Sequence, residues 1–137
     1  MTKPIVYLAG PMDGREYHEV HDWRNKFKEL YGAEYCLDPT RREYDKRAYS
    51  AIVNDDIEDI RNCTIMVIMW DNTPSIGTAM EMMYATCEGW FMENNIKTIL
   101  INKTGKNTDQ LSPWLRYNSD HIVTSLKEAV EICQNHS

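Results

Sequence analysis

Long apolar runs, an excess of basic charge and paired cysteines are all missing from this sequence. No apolar stretch approaches the length a membrane-spanning helix needs. Lys and Arg together number 15 against 21 Asp and Glu, a net charge of −6. That balance argues against general nucleic-acid binding, which depends on a basic face. The four cysteines (Cys36, Cys63, Cys87, Cys133) show no C-x-x-C spacing, so neither a zinc site nor a disulfide framework is indicated, and reduced, mostly buried thiols are expected. Histidine is scarce as well. His18 and His21 are the only close pair; without a third ligand they read as a solvated helix face. The polar loop from Asn102 to Ser112 carries no repeat or low-complexity run. The first residues read as a strand rather than a signal peptide, and a cytoplasmic protein is expected.

What remains is an ordinary soluble composition, 42% apolar and 26% charged over 137 residues. A single domain spanning 1–137 with one substantial core follows from that length. The elements alternate. Ile5 to Ala9 is a short apolar run ending at Gly10-Pro11, the first strand. Val20, Trp23, Phe27, Leu30 and Tyr31 recur at helical spacing up to Gly32. Glu34 to Leu37 reads as a second strand, followed by a polar loop from Asp38 to Arg47. Ser50 is placed to cap a second helix, with Ile52, Val53, Asp56, Ile57 and Ile60 on one side. Ile65 to Trp70 is a continuous apolar strand, as expected where both sheet faces are covered.

A third helix runs from about Ile76 to Glu93, with Met80, Met83, Tyr84 and Cys87 as its packing stripe. Lys97 to Ile101 is a fourth strand, Asn102 to Ser112 a polar loop, and His121 to Val123 a fifth strand. Ser125 to Glu128 is a capping-box signature opening the last helix. This alternation predicts an α/β fold, a parallel sheet with helices on both faces. With strand order 2-1-3-4-5 the switch point lies between strands one and three, and the loops Gly10 to Arg15 and Asp71 to Ser75 converge there.

One segment at that point stands out, Ser75-Ile-Gly-Thr-Ala-Met-Glu81. Small residues open a helix whose first-turn N–H groups, with Ser75, favour an anion, and Gly77 permits close approach. Glu81, just over one turn in, faces the same ligand and is a candidate nucleophile. Asp56 interrupts the apolar side of the second helix, where a carboxylate needs a partner or a purpose. Tyr7 of the first strand would donate a hydrogen bond to Glu81. Two carboxylates and a phenol suit glycosidic-bond cleavage through an oxocarbenium-like transition state, and the logic extends to the N-glycosidic bond of a nucleoside. Taken singly, each has a structural explanation: a core tyrosine, a helix ion-pair partner, a solvated residue in an acidic run.

Three motifs, Tyr7-Leu-Ala-Gly-Pro11, Asn54-Asp-Asp56-Ile and Ser75-Ile-Gly-Thr-Ala-Met-Glu81-Met-Met-Tyr-Ala85, resemble the nucleoside 2-deoxyribosyltransferase family in order and spacing. The resemblance covers nearly the whole chain. It implies a flavodoxin-like (Rossmann-like) three-layer sandwich with a five-stranded parallel sheet. By position, Glu81 matches the family nucleophile, Asp56 the acid/base serving the departing base, and Tyr7 the residue orienting the nucleophile. Family members acting on free nucleosides carry aspartate where this chain has Ser75, and asparagine where it has Ser112. The monophosphate-hydrolysing branch has serine at both. A carboxylate would repel a phosphate that a hydroxyl and helix N–H groups attract. Thr64 also departs from a common aspartate, without an assigned consequence.

Arg41 and Arg42 resemble an Arg-Arg-Glu of members that release cytosine from its monophosphate; Arg42 is a candidate base or phosphate contact, the alternative being a solvated loop. Gly10, Met12 and Arg15 are candidate pocket residues in the loop after strand one. Trp70 and Trp114 suit packing better than base stacking. The expected activity is cleavage of a (deoxy)nucleoside 5′-monophosphate to free base and sugar phosphate, with no metal or organic cofactor. A base-exchanging deoxyribosyltransferase and a non-catalytic nucleotide-binding sensor are the alternatives. The resemblance implies a homodimer or larger assembly with shared active sites.

Overall fold

The computed structural model describes residues 3–43 and 48–136. Five strands, β1 (Val6–Ala9), β2 (Cys36–Leu37), β3 (Ile65–Trp70), β4 (Lys97–Asn102) and β5 (His121–Val123), form one sheet of order β2-β1-β3-β4-β5. Every pairing is parallel, with Tyr7 level with Leu37 on one side and Met66 on the other. The expected flavodoxin-like order is therefore present.

Alternation along the central strands divides the core into two layers. Val6, Leu8, Ile65, Val67, Ile99 and Ile101 meet α1 (Tyr17–Tyr31) and α5 (Leu126–Asn135) through Phe27, Tyr31, Ala129, Val130 and Cys133. Tyr7, Ala9, Met66, Ile68 and Leu100 turn the other way, onto α2 (Tyr49–Asn62) and α3 (Ile76–Met92) through Ile60, Cys63, Met82 and Ala85. Each fully buried Leu or Ile here contributes about 1.5–3 kcal/mol relative to exposure. No helix among the described residues is long and apolar enough to cross a membrane.

Local details differ from the sequence expectation. The second strand is only two residues long, because Ala33–Tyr35 winds into a 3-10 turn before it. Ala48, not Ser50, occupies the N-cap of α2; Ala51 and Ile52 donate to its carbonyl, which leaves Ser50 inside the first turn. Along α2, Val53 is exposed while Asp59 and Ile60 are buried. On α3 the inward stripe is Thr78, Met82, Ala85 and Glu88, and Met80 is exposed. The stripe is set by which residues meet the sheet, and methionine content does not report that direction. A short fourth helix, α4 (Pro113–Tyr117), follows the late loop, with Pro113 at its start and Ser112 as its cap. At α5 the Ser125 hydroxyl accepts from the Glu128 amide, one half of the expected capping box. The Glu128 carboxylate accepts from the Ser125 and Thr124 hydroxyls instead of the Ser125 amide.

Candidate active site

The middle of β1 delivers Tyr7 into the layer under α2 and α3, where it is wholly buried. Its phenol donates a short hydrogen bond to Glu81 Oε2, joining strand and helix 74 residues apart in sequence. Burial first, and then the charges of Glu81 and Asp56, push the Tyr7 phenol far above its ordinary range, so it stays a donor. Burial likewise pushes Glu81 up to about 7; the Tyr7 hydrogen bond and the charge of Arg24 oppose this, and Asp56 adds to it. Asp56, on α2, is pushed up to about 6 by burial against the opposing charge of Arg42. Tyr7, Asp56 and Glu81 thus sit within electrostatic reach of one another. The two carboxyl groups hold protons far above the usual carboxylate range, as acid/base chemistry near neutrality requires.

The rim of the site is built from charged side chains. Asp38, buried at the end of β2, accepts from the Thr40 amide and from Lys28 at 2.7 Å, shaping the 3-10 turn Pro39–Arg41. Arg41 and Arg42 then reach α2. Arg41 forks onto Asp59 at 2.8 and 2.9 Å, and Arg42 Nη2 reaches the same carboxylate at 2.6 Å. Arg42 Nη1 lies 3.7 Å from Asp56. Beneath β1, Arg24 is completely buried on α1 and donates to the carbonyls of Leu8, Gly10 and Val20. Its side chain spends these donors on backbone at the end of β1, where the loop bordering the site begins.

In that loop Met12 is partly exposed and Gly14 takes a left-handed backbone, φ +71°. A Cβ on Gly10 would stand 2.9 Å from the Trp23 ring, so glycine there answers to packing. Arg15 crosses to the loop after β3 and forks onto Asp71 at 2.7 and 2.9 Å. Ser75 caps α3, its hydroxyl accepting from the Thr78 amide at 3.3 Å, and a Cβ on Gly77 would meet only open space. Ser112 is exposed and caps α4 by accepting from the Trp114 amide; it makes none of the contacts joining Tyr7, Asp56 and Glu81. Trp70 packs against the core, whereas Trp114 is exposed. Among the described residues no three His, Cys, Asp or Glu side chains are grouped as metal ligands would be.

Two contributors escaped the sequence reading, and both left a signal. Arg24 occupies a stripe position of α1 between Val20 and Phe27, where an apolar residue is the rule. Asp59 stands three residues beyond Asp56, beside the inward Ile60.

The model of the family described as nucleoside 2-deoxyribosyltransferase matches residues 6–112, which hold β1, α2 and the whole Tyr7–Asp56–Glu81 constellation. The chain belongs to the nucleoside 2-deoxyribosyltransferase family. It is accordingly an enzyme of the N-glycosidic bond, a hydrolase or a transferase, with nucleosides or nucleotides as small-molecule substrates. Solved structures share the fold across this family. A 2-deoxyribosyltransferase of Bacillus psychrosaccharolyticus superposes with TM-score 0.68 at 14% identity, covering 96% of this chain and 91% of its own. A Leishmania mexicana 2-deoxyribosyltransferase gives 0.62 at 19% identity, with 98% and 99% covered. The CMP N-glycosidase BcmB of Clostridium botulinum gives 0.58 at 17% identity, with 94% and 97% covered. A sequence comparison with curated proteins gives no significant match.

Proposed function

We propose that this family member hydrolyses a (deoxy)nucleoside 5′-monophosphate through a covalent glycosyl intermediate on Glu81. The observation that carries the reading is the buried Tyr7 phenol fixed on one carboxylate, Glu81, with a second protonatable carboxyl, Asp56, alongside. Ionised Glu81, aligned by Tyr7, attacks C1′ of the sugar. As that C–O bond forms, the C1′–N bond breaks, its electron pair leaves with the base, and Asp56 gives the base its proton. Water then adds to C1′, Asp56 takes up the water proton, and the ester electron pair returns to Glu81. Base and sugar 5-phosphate leave, and both carboxyl groups regain their starting states.

The preference for a monophosphate rests on the start of α3. Ser75, rather than a carboxylate, caps this 17-residue helix, and Gly77 leaves the approach to its first amides open. A phosphate there meets unpaired N–H groups and the positive end of the helix. Gly10, Met12, Arg15 and Arg42 border the same cleft in this reading.

A second copy of the chain completes the assembly. Ile76, Met80 and Phe91 are exposed along one side of α3, as are Trp114 and Tyr117 of α4 beside Ser112. Apolar side chains in that number are the mark of an interface, and Ser112 would serve the neighbouring site from there. Sedimentation of the purified protein as a monomer would sink this part.

The test of the reaction is chromatographic. Common ribo- and deoxyribonucleosides and their 5′-monophosphates are incubated with and without an added acceptor base. Base release from a monophosphate in water alone is expected. Turnover only when an acceptor base is present would replace hydrolysis with base transfer, the activity named for two of the structurally similar proteins. Binding without turnover of any substrate would make the chain a nucleotide sensor.

A further inference from the structure

The acid assigned to the departing base shares its helix with a second carboxylate, Asp59, which that reaction does not use. Asp59 is 5% exposed and lies one helical turn from Asp56 on the inward side of α2. It is the common anchor of two guanidinium groups, Arg41 through a fork and Arg42 through Nη2. Arg41 also donates to the Asp38 carbonyl at 2.8 Å, and Asp38 is itself held by Lys28 of α1. The turn carrying both arginines is therefore fastened at β2 and at α2. Arg42 is the shared member: its Nη2 is 2.6 Å from Asp59, while its Nη1 makes a longer ion pair with Asp56 at 3.7 Å. The two carboxylates compete for one cation, and the short contact goes to Asp59.

We propose that Asp59 is a positioning residue of this active site: it holds Arg42 against α2 and so keeps the guanidinium's 3.7 Å ion pair with Asp56 from tightening into a hydrogen-bonded fork.

The inference rests on Asp56 being the acid of the proposed reaction. A carboxyl group must hold a proton to deliver one, and a fully paired Arg–carboxylate fork would strip Asp56 of that capacity. The raised proton affinity of Asp56 comes from burial and from the charges of Asp59 and Asp55, against Arg42 and Arg41. Glu81, Tyr7 and Arg24 act on the same cleft from α3, β1 and α1. Asp59 itself sits below the usual carboxylate range: burial alone would raise it, but the hydrogen bonds and charges of its two arginines prevail. Asp59 is thus the better anion and Asp56 the better proton carrier, although they are the same residue type one turn apart. Their neighbours make the difference.

The sign of the effect separates this role from a structural one. Asp59→Asn removes a negative neighbour and the short contact that draws Arg42 away from Asp56, and both changes lower the proton affinity of Asp56. Arg42→Gln removes the cation and raises it. The carbon-13 shift of the Asp56 carboxyl, followed through a pH titration, reads this without any substrate. We expect its midpoint to fall by about one unit in Asp59→Asn and to rise in Arg42→Gln. In the Arg42→Gln background the added Asp59→Asn shift should shrink to the residual effect of the lost charge. An unchanged or raised midpoint in Asp59→Asn overturns the proposal, as do equal Asp59→Asn shifts in both backgrounds. Should Asp59→Asn fail to fold, Arg42→Gln and Arg42→Lys carry the test, with a lysine-restored midpoint expected and an Arg42→Gln midpoint at or below wild type overturning it. Failure of the underlying reaction shows separately, as base release that survives Asp56→Asn.

Discussion

Arg15 and Asp71 form a two-pronged ion pair across the switch point of the sheet, 56 residues apart, with Arg15 also donating to the Thr73 carbonyl at 3.0 Å. The pair clasps the loop after β1 to the loop after β3, and Ser75 and α3 begin just beyond it. The Arg15 side chain is 10% exposed and that of Asp71 32%, so water screens one partner and the net stabilisation is modest. Asp71→Asn is expected to cost about 1 kcal/mol or less in chemical denaturation. Its effect on KM should be larger in proportion, because in the proposed reading both loops border the substrate cleft. Steady-state kinetics and a denaturant titration on one preparation separate the two, and an unchanged KM would remove the clasp from substrate binding.

The value near 7 for Glu81 lies above the value near 6 for Asp56. In the proposed reaction attack needs Glu81 ionised while Asp56 keeps its proton, the less populated arrangement of the pair. The kcat/KM profile should therefore be a bell with its maximum near the midpoint of the two values, about pH 6.5, its limbs belonging to the coupled pair. Tyr7→Phe removes a hydrogen bond that favours ionised Glu81, so the maximum should move to higher pH and fall in height. A Tyr7→Phe profile that keeps the wild-type maximum would contradict the orienting role.

Glu81 also links stability to pH. Its proton affinity is raised in the folded state, so between its ordinary value of 4.5 and about 7 the folded protein holds a proton that the unfolded chain has lost. Stability from this group is present below pH 4.5 and lost as pH rises through 7. Glu81→Gln should therefore unfold at higher denaturant than wild type at pH 8, by about 2 kcal/mol, with the gap closing towards pH 4.5. The same variant should lose at least about a thousandfold in base release. A variant more stable yet inactive is the pattern expected of a carboxylate kept for chemistry.

Ser75→Asp offers a specificity test with a built-in control. Aspartate caps a helix as well as serine does, so the fold should tolerate it. If position 75 holds the phosphate as proposed, a negative charge there should raise KM for a 5′-monophosphate by about tenfold or more while leaving a free nucleoside much less affected. Equal losses on both substrates would deny Ser75 the phosphate.

The two site glycines should respond oppositely to alanine. At Gly10 the new methyl would press on the Trp23 ring at 2.9 Å, and a loss of about 1–3 kcal/mol is expected. At Gly77 it would enter open space in the first turn of α3, where alanine favours the helix by up to about 1 kcal/mol. Thermal unfolding of both variants reads the contrast. If Gly77→Ala is stable but binds a monophosphate poorly, the space over Gly77 belongs to the ligand.

The alternating elements and the parallel sheet were legible because buried strands are short continuous apolar runs and helices repeat at 3.6 residues. The loops of the switch point followed from the same alternation. Less legible were the face of α3 and the start of α2, where methionines and a serine misled. An exposed Met80 and a buried Met82 look alike in sequence, and only contact with the sheet separates them.

The chain by itself determined which residue types stand at which element ends: a phenol on β1, a carboxylate one turn into α3, a serine at the start of that helix. Such properties are local, and spacing along the chain carries them. Tertiary structure alone decided which carboxylates act as anions and which keep protons. Asp56 and Asp59 are equivalent to any local rule, yet Asp59 takes the short contacts of both arginines and Asp56 only a 3.7 Å ion pair with Arg42. Burial and Coulomb interactions depend on distance through space, and the turn that brings Arg41 and Arg42 to α2 is held by Asp38, Lys28 and Asp59 from three separate elements.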